Sequence, residues 1–194
     1  VKNFHGTTSN SCFPWKEAQE IALRVSGGYE GRSNLDYHAL ADDFDGQGTS
    51  FGLIQWNFGQ NTLGPLLLQM YNRDPTAFAA AFPVGSDYQT LETALRNQNQ
   101  QAQLTWARDL LRTNRTAWSQ AFNNLGDIPA FQEIQLGAVL DYHENVVKAI
   151  TLMRGIAPDL MQEVHVGTYA ALYDLSVQQG TIDKSGSLAA ARKR

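Results

Sequence analysis

The chain has 194 residues, 43% of them apolar and 18% charged, a balance that supports one sizeable core and excludes a disordered chain. Fifteen basic residues against 19 acidic ones leave a formal charge of −4, too mild and too acidic to argue for nucleic acid, which needs a basic face. No apolar run reaches the roughly 18 residues of a membrane span, and the single cysteine, Cys12, excludes an internal disulfide and a zinc site of Cys/His spacing.

In chain order, Pro14 to Val25 predicts the first helix. Pro14 suits an opening turn, and Ala18, Ile21, Ala22 and Val25 repeat at three-to-four spacing. Ser26-Gly27-Gly28 then predicts a left-handed stop, which sets Glu30 just past a helix end. Between Glu30 and Asp45 the chain gathers four aspartates and one glutamate against one arginine. Asp45-Gly46 reads as a turn and "TSFGLIQW" as an apolar strand, so a short antiparallel sheet is expected around residues 35 to 57.

Helices are predicted next at Leu63 to Tyr71, Tyr88 to Leu111, Thr116 to Asn123, Pro129 to Met153 and Val166 to Gln179. Their junctions fall at Arg73-Asp74-Pro75, Pro83 to Asp87, Asn123 to Pro129 and Gly155 to Pro158. The longest is apolar or small nearly all round, which predicts a central, largely buried helix. Trp15, Trp106 and Trp118 fit helical core positions. His38, His143 and His165 are scattered, each expected to be satisfied or exposed rather than a metal ligand.

These elements predict a mostly helical α+β protein of two lobes, with a small antiparallel sheet beside a ligand cleft. The domain is expected to span residues 1–181, with 182–194 a flexible tail. Val1 opens the chain without methionine or a basic-then-apolar leader, as a processed chain or a domain of a longer protein would.

The acidic segment has two readings. On spacing alone, an acid after a helix is a surface charge, and "DDFDG" is a solvated turn or a weak calcium site, though the alternating acids of an EF-hand are missing. The sharper reading is glycosidic bond cleavage, which needs one protonated carboxyl to donate to the leaving oxygen and one ionised carboxylate to activate water or attack. Their pKa values are driven apart by burying one and solvating the other. Glu30, beside Tyr29, is the candidate acid, and Asp45, opening a glycine-rich turn, the candidate base. Asp42 and Asp43 are rivals to Asp45, because a slip in hairpin register turns a different side chain inward.

"DGQGTSFGLIQW", Asp45 to Trp56, resembles the Asp-Gly-Arg-Gly-Tyr-Thr-x-Gly-Ile-Ile-Gly-Phe segment of bacterial family 46 chitosanases. Glu30 sits where those enzymes place their catalytic acid. "ALYDLSVQQG", Ala171 to Gly180, is similar to their C-terminal Tyr-Asp-rich helix ending in His-Gly. "SFGLIQW" also resembles the Gly-Leu-x-Gln-aromatic strand of bacterial and phage muramidases in the same lysozyme-like superfamily. The resemblance implies a lysozyme-like fold, with Glu30 as general acid, Asp45 as base and Ser50 in place of the threonine that orients the attacking water. Gln47, Thr49 and Gln179 depart from the chitosanase pattern, while the positions shared by the whole superfamily are kept.

The expected activity is therefore cleavage of bacterial cell-wall peptidoglycan by a muramidase, with chitosan hydrolysis as the alternative and non-catalytic wall binding as a third reading. Tyr37, Asp42, Thr49, Gln55 and Trp56 are the expected substrate contacts, although Trp56 fits a core position and stacking on a sugar ring equally well. No cofactor, metal, nucleic acid or membrane span is expected. The protein is expected to be a monomer acting outside the cell or in the periplasm, as part of a phage or secreted lytic protein.

Overall fold

A computed structural model describes residues 3–5, 12–29, 35–161 and 163–179. The chain divides into two compact units: residues 1–35 with 139–194, and residues 36–138. It is a mostly helical α+β protein with a small three-stranded antiparallel sheet.

In the first unit, strands β1 (Asn3–His5) and β2 (Cys12–Pro14) pair antiparallel, with Phe4 opposite Phe13. Helix α1 (Trp15–Tyr29) follows at once. It buries Ala18, Ala22 and Leu23 and packs against the C-terminal helix of the unit. The predicted stop at Gly27-Gly28 is absent, and the helix runs through both glycines to Tyr29. A glycine costs a helix about 1 kcal/mol, but it ends one only where its backbone turns left-handed. Glu30 lies outside the described residues, as do Gly180 and the tail 182–194.

The second unit holds the sheet of β3 (Leu40–Ala41), β4 (Ser50–Phe51) and β5 (Trp56–Asn57), with β4 in the middle. Leu40 pairs with Phe51, and Phe51 with Trp56. The eight-residue strand expected from "TSFGLIQW" is instead two short strands joined by a tight reversal. Gly52 at φ 83° and Gln55 at φ 57° turn the chain. A side chain at Gly52 would strike the carboxamide of Gln135, so only glycine fits there. Gln135 is fully buried, accepting the Leu53 N–H at 3.1 Å and donating to the Tyr37 carbonyl at 3.3 Å.

Helices α2 (Leu63–Arg73), α3 (Pro75–Ala80), α4 (Tyr88–Arg96), α5 (Gln100–Thr113) and α6 (Arg115–Gly126) complete this unit. Helix α3 was unexpected, because Asp74-Pro75 reads as a junction. In fact Asp74 caps it, accepting the Ala77 N–H, and Pro75 fills its first position. The helix expected from Tyr88 to Leu111 is broken in two. Gln98 is left-handed, and Asn99 caps α5 through the Ala102 N–H. Asn114 caps α6 in the same way.

Helix α7 (Pro129–Ile156) contains the boundary between the units. It is not buried all round. Phe131, Gln135, Val139, Val146 and Ala149 form one buried stripe, while Leu136 and Leu140 stand exposed. A short 3-10 turn (Pro158–Met161) leads to α8 (Val166–Gln179), which lies at its expected bounds. In the first unit, the Tyr173 hydroxyl donates to the Val139 carbonyl, and Tyr169 hydrogen-bonds His143 Nδ1 at 2.9 Å.

Aromatic packing joins sheet to helices in the second unit. Phe51 lies 5.2 Å from Phe122 and stacks on Phe131 at 6.1 Å, while Trp106 and Trp118 flank Phe122. Trp106 and Trp118 are buried, as their spacing predicted. The strand that follows the acidic loop is therefore anchored in the deepest part of this core.

Candidate functional site: the acidic hairpin

The loop from Asp42 to Gly48 joins β3 to β4, and arginines from two helices fix it. Asp43 is the centre of the arrangement. Its carboxylate accepts the Gly48 N–H at 2.6 Å, Arg108 Nε at 2.6 Å and Arg108 Nη2 at 3.4 Å. Arg108 Nη2 also donates to the Gly46 carbonyl at 2.8 Å. The Arg108 hydrogen bond holds the Asp43 carboxyl below the usual carboxylate range, and the Gly48 N–H adds to that against the cost of burial. Asp42 is taken by Arg115, at 2.9 Å, whose guanidinium also lies 5.6 Å from the Trp118 ring.

Asp45 is left over. Its Oδ1 accepts only the Gln47 N–H at 3.0 Å, an Asx-type turn, and the residue is exposed. Among the described residues no cation pairs with it. The three rival acids of the sequence thus separate by their partners: Asp42 and Asp43 hold the loop to the helices, and Asp45 is uncommitted. Gln47 accepts the Gly59 N–H at 2.8 Å through its carbonyl, so the loop is tied on its far side as well. Gly48 is left-handed at φ 76°, and a side chain there would strike Leu104.

The other expected site residues fall into two groups. Thr49 is 1% exposed, and its Oγ1 accepts the Trp118 indole N–H at 2.8 Å. Trp56 is 4% exposed and pairs with Phe51 across the sheet. Neither presents its side chain to solvent, so both act in the interior and the stacking expected of Trp56 has no exposed face to use. Gln55 spends its amide N–H groups on the Ala39 and Gly52 carbonyls, which locks the reversal after β4. Ser50 lies on the central strand, 9% exposed. Tyr37 is half-buried, and burial raises its phenol above its ordinary value.

Sequence reasoning passed over Phe44. It is 83% exposed at the loop tip, next to Asp45 and between two pinned aspartates and the Asx turn. The signal was present as an apolar residue inside an otherwise polar turn.

Among the described residues no group of three or more His, Cys, Asp or Glu is placed to hold a metal, and no helix is long and apolar enough to cross a membrane. No protein-family model matches the chain, and no curated protein or solved structure matches it either. The class defined by the fold is thus architectural, a mostly helical α+β protein whose small sheet carries a braced acidic loop.

Proposed function

We propose that the protein is a glycoside hydrolase acting on bacterial cell-wall peptidoglycan, with Glu30 as general acid, Asp45 as the ionised base and Ser50 orienting water. The observation that supports it best is the state of Asp45. It is a solvated carboxylate with no counter-ion among the described residues, on a loop braced by Arg108 and Arg115. A base for water activation has to be ionised, accessible and held still, because a misplaced group loses most of its rate advantage. Glu30 enters through the resemblance of its sequence context, and the reaction requires both carboxyl groups to act at one bond.

The same loop bears on the polymer. A polycation such as chitosan is best met by free carboxylates. Here two of the three loop aspartates are already neutralised by arginine, leaving one negative charge at the tip. An acylated, uncharged glycan backbone suits that balance better. Phe44 supplies an exposed ring beside Asp45 on which a pyranose can stack.

The test is product analysis of purified peptidoglycan and of chitosan, incubated in parallel with the protein. Muropeptides with reducing ends, released from the wall alone, are expected. Reducing ends from chitosan alone assign the alternative polymer. Products lighter by one water indicate a transglycosylase, and binding to sacculi without release indicates a wall-binding module; either result overturns the proposal.

A further inference from the structure

The two ion pairs of the acidic loop are unequal, and the difference gives one of them a separate task. Arg108 makes three contacts, two to the Asp43 carboxylate and one to the Gly46 carbonyl, and Asp43 is tied to the Gly48 N–H as well. Arg115, the first residue of α6, makes a single hydrogen bond to the loop, from Nη2 to Asp42 at 2.9 Å. The Asp42 carboxylate has no other hydrogen bond or ion pair among the described residues. Both side chains reach solvent, Arg115 66% and Asp42 36% exposed.

A single pair of that exposure adds little to stability. Its larger effect is on charge. Arg115 cancels Asp42 beside the free carboxylate of Asp45, so the loop carries one net negative charge instead of two. The guanidinium has a second support, because it lies 5.6 Å from the centre of the Trp118 ring, which is itself held by its N–H bond to Thr49.

We infer that Arg115 is a specificity residue of this loop: by covering the Asp42 carboxylate it favours acylated, uncharged glycan over deacylated, cationic glycan. The inference rests on the proposed placement of a glycan at the loop. The two polymers differ at the sugar amine, an acetamide in one and a protonated ammonium in the other. An acetamide needs a hydrogen-bond partner and gains nothing from a second charge, whereas an ammonium is attracted by each uncovered carboxylate. Discrimination then comes from the attraction withheld from the wrong ligand. Uncovering Asp43 would loosen the loop, since Arg108 also holds Gly46. Uncovering Asp42 costs one exposed contact, which makes Arg115 the position where polymer preference can be changed.

The experiment is an amide NMR titration of the full chain with two oligomers of equal length, one of N-acetylglucosamine and one of glucosamine, at mildly acidic pH. Wild type is compared with Arg115→Gln, whose amide still donates to Asp42 but carries no charge, and with Arg115→Gln/Asp42→Asn, which restores the net charge of the wild-type pair. Shifts are expected at residues 42–48, with the acetylated oligomer preferred by the wild type. The affinity ratio should move about two- to fivefold towards the glucosamine oligomer in Arg115→Gln, the worth of one further exposed charge pair, and that gain should shrink in about 1 M salt. The double variant should return to the wild-type ratio, a rescue that a purely bracing arginine would not give. The inference is overturned by a ratio unmoved in Arg115→Gln, by a gain that persists in the double variant, by parallel loss of both oligomers in the two variants, by a wild-type preference for the glucosamine oligomer, or by no shifts at residues 42–48 with either. Wall material left intact by a wild type whose variants show the change in ratio refutes the hydrolytic reading and leaves this inference standing.

Discussion

Replacing Arg108 by methionine removes the main brace of the acidic loop while keeping the length and apolar stem of the side chain. Three contacts go: two to the Asp43 carboxylate and one to the Gly46 carbonyl. Exposed ion pairs contribute about 0–1 kcal/mol, whereas breaking a buried one costs about 3–5 kcal/mol. This pair lies between those limits, with Arg108 40% and Asp43 23% exposed. Asp43 also keeps its Gly48 N–H in the variant. A loss of about 2 kcal/mol follows, which lowers Tm by about 4–8 °C for a chain of this size.

The pH dependence sharpens that expectation. Arg108 depresses the folded-state pKa of Asp43 below its unfolded value of about 3.9. The unfolded chain therefore takes up its proton first, and the stability from this pair is present in full above about pH 5 and lost as pH falls through the depressed folded value. Urea unfolding of the wild type and Arg108→Met from pH 7 down to pH 3 should show a gap that narrows with acidification. A gap below about 0.5 kcal/mol at pH 7, or one that stays constant to pH 3, refutes the bracing role.

Other substitutions probe the same loop and its anchors. Thr49→Val should cost about 1–3 kcal/mol in urea unfolding, because it leaves the buried Trp118 indole N–H without its acceptor. Gly52→Ala should cost more than about 1 kcal/mol in the same assay, since alanine is strained at φ 83° and meets Gln135. Phe44→Ala should leave stability within about 0.5 kcal/mol, the ring being 83% exposed. It should also raise KM for wall fragments with little change in kcat, the signature of lost binding common to ground and transition states.

Much of the helical framework was legible in the sequence because apolar periodicity reports which face is buried. Helix α8 begins and ends at its predicted residues, and α2 and α6 differ from prediction only at their ends. Periodicity is blind to breaks made by side-chain caps, so the stop at Asn97 to Asn99 and the start at Asp74 were missed. It is also blind to strand length, since "SFGLIQW" is equally apolar whether it runs straight or reverses at Gly52. In α7, Leu136 and Leu140 are apolar yet exposed, which composition alone does not show.

The loop acids show the same division between pattern and partner. Their clustering was visible in the sequence, but the distinction among Asp42, Asp43 and Asp45 depends on Arg108 and Arg115, more than sixty positions away. No local motif carries that information. Trp56 shows it again: the sequence fits a stacking face and a core position equally, and only the pairing with Phe51 places it in the core.

The most direct test compares the rates of muropeptide release by Glu30→Gln, Asp45→Asn and Asp42→Asn on purified sacculi, each at matched folded protein. Losses of about 10²–10⁴-fold are expected in the first two and a clearly smaller loss in Asp42→Asn, whose amide oxygen can still accept from Arg115 and keep that brace. Undiminished release by Asp45→Asn, or a loss confined to Asp42→Asn, contradicts the assignment of Asp45 as the base.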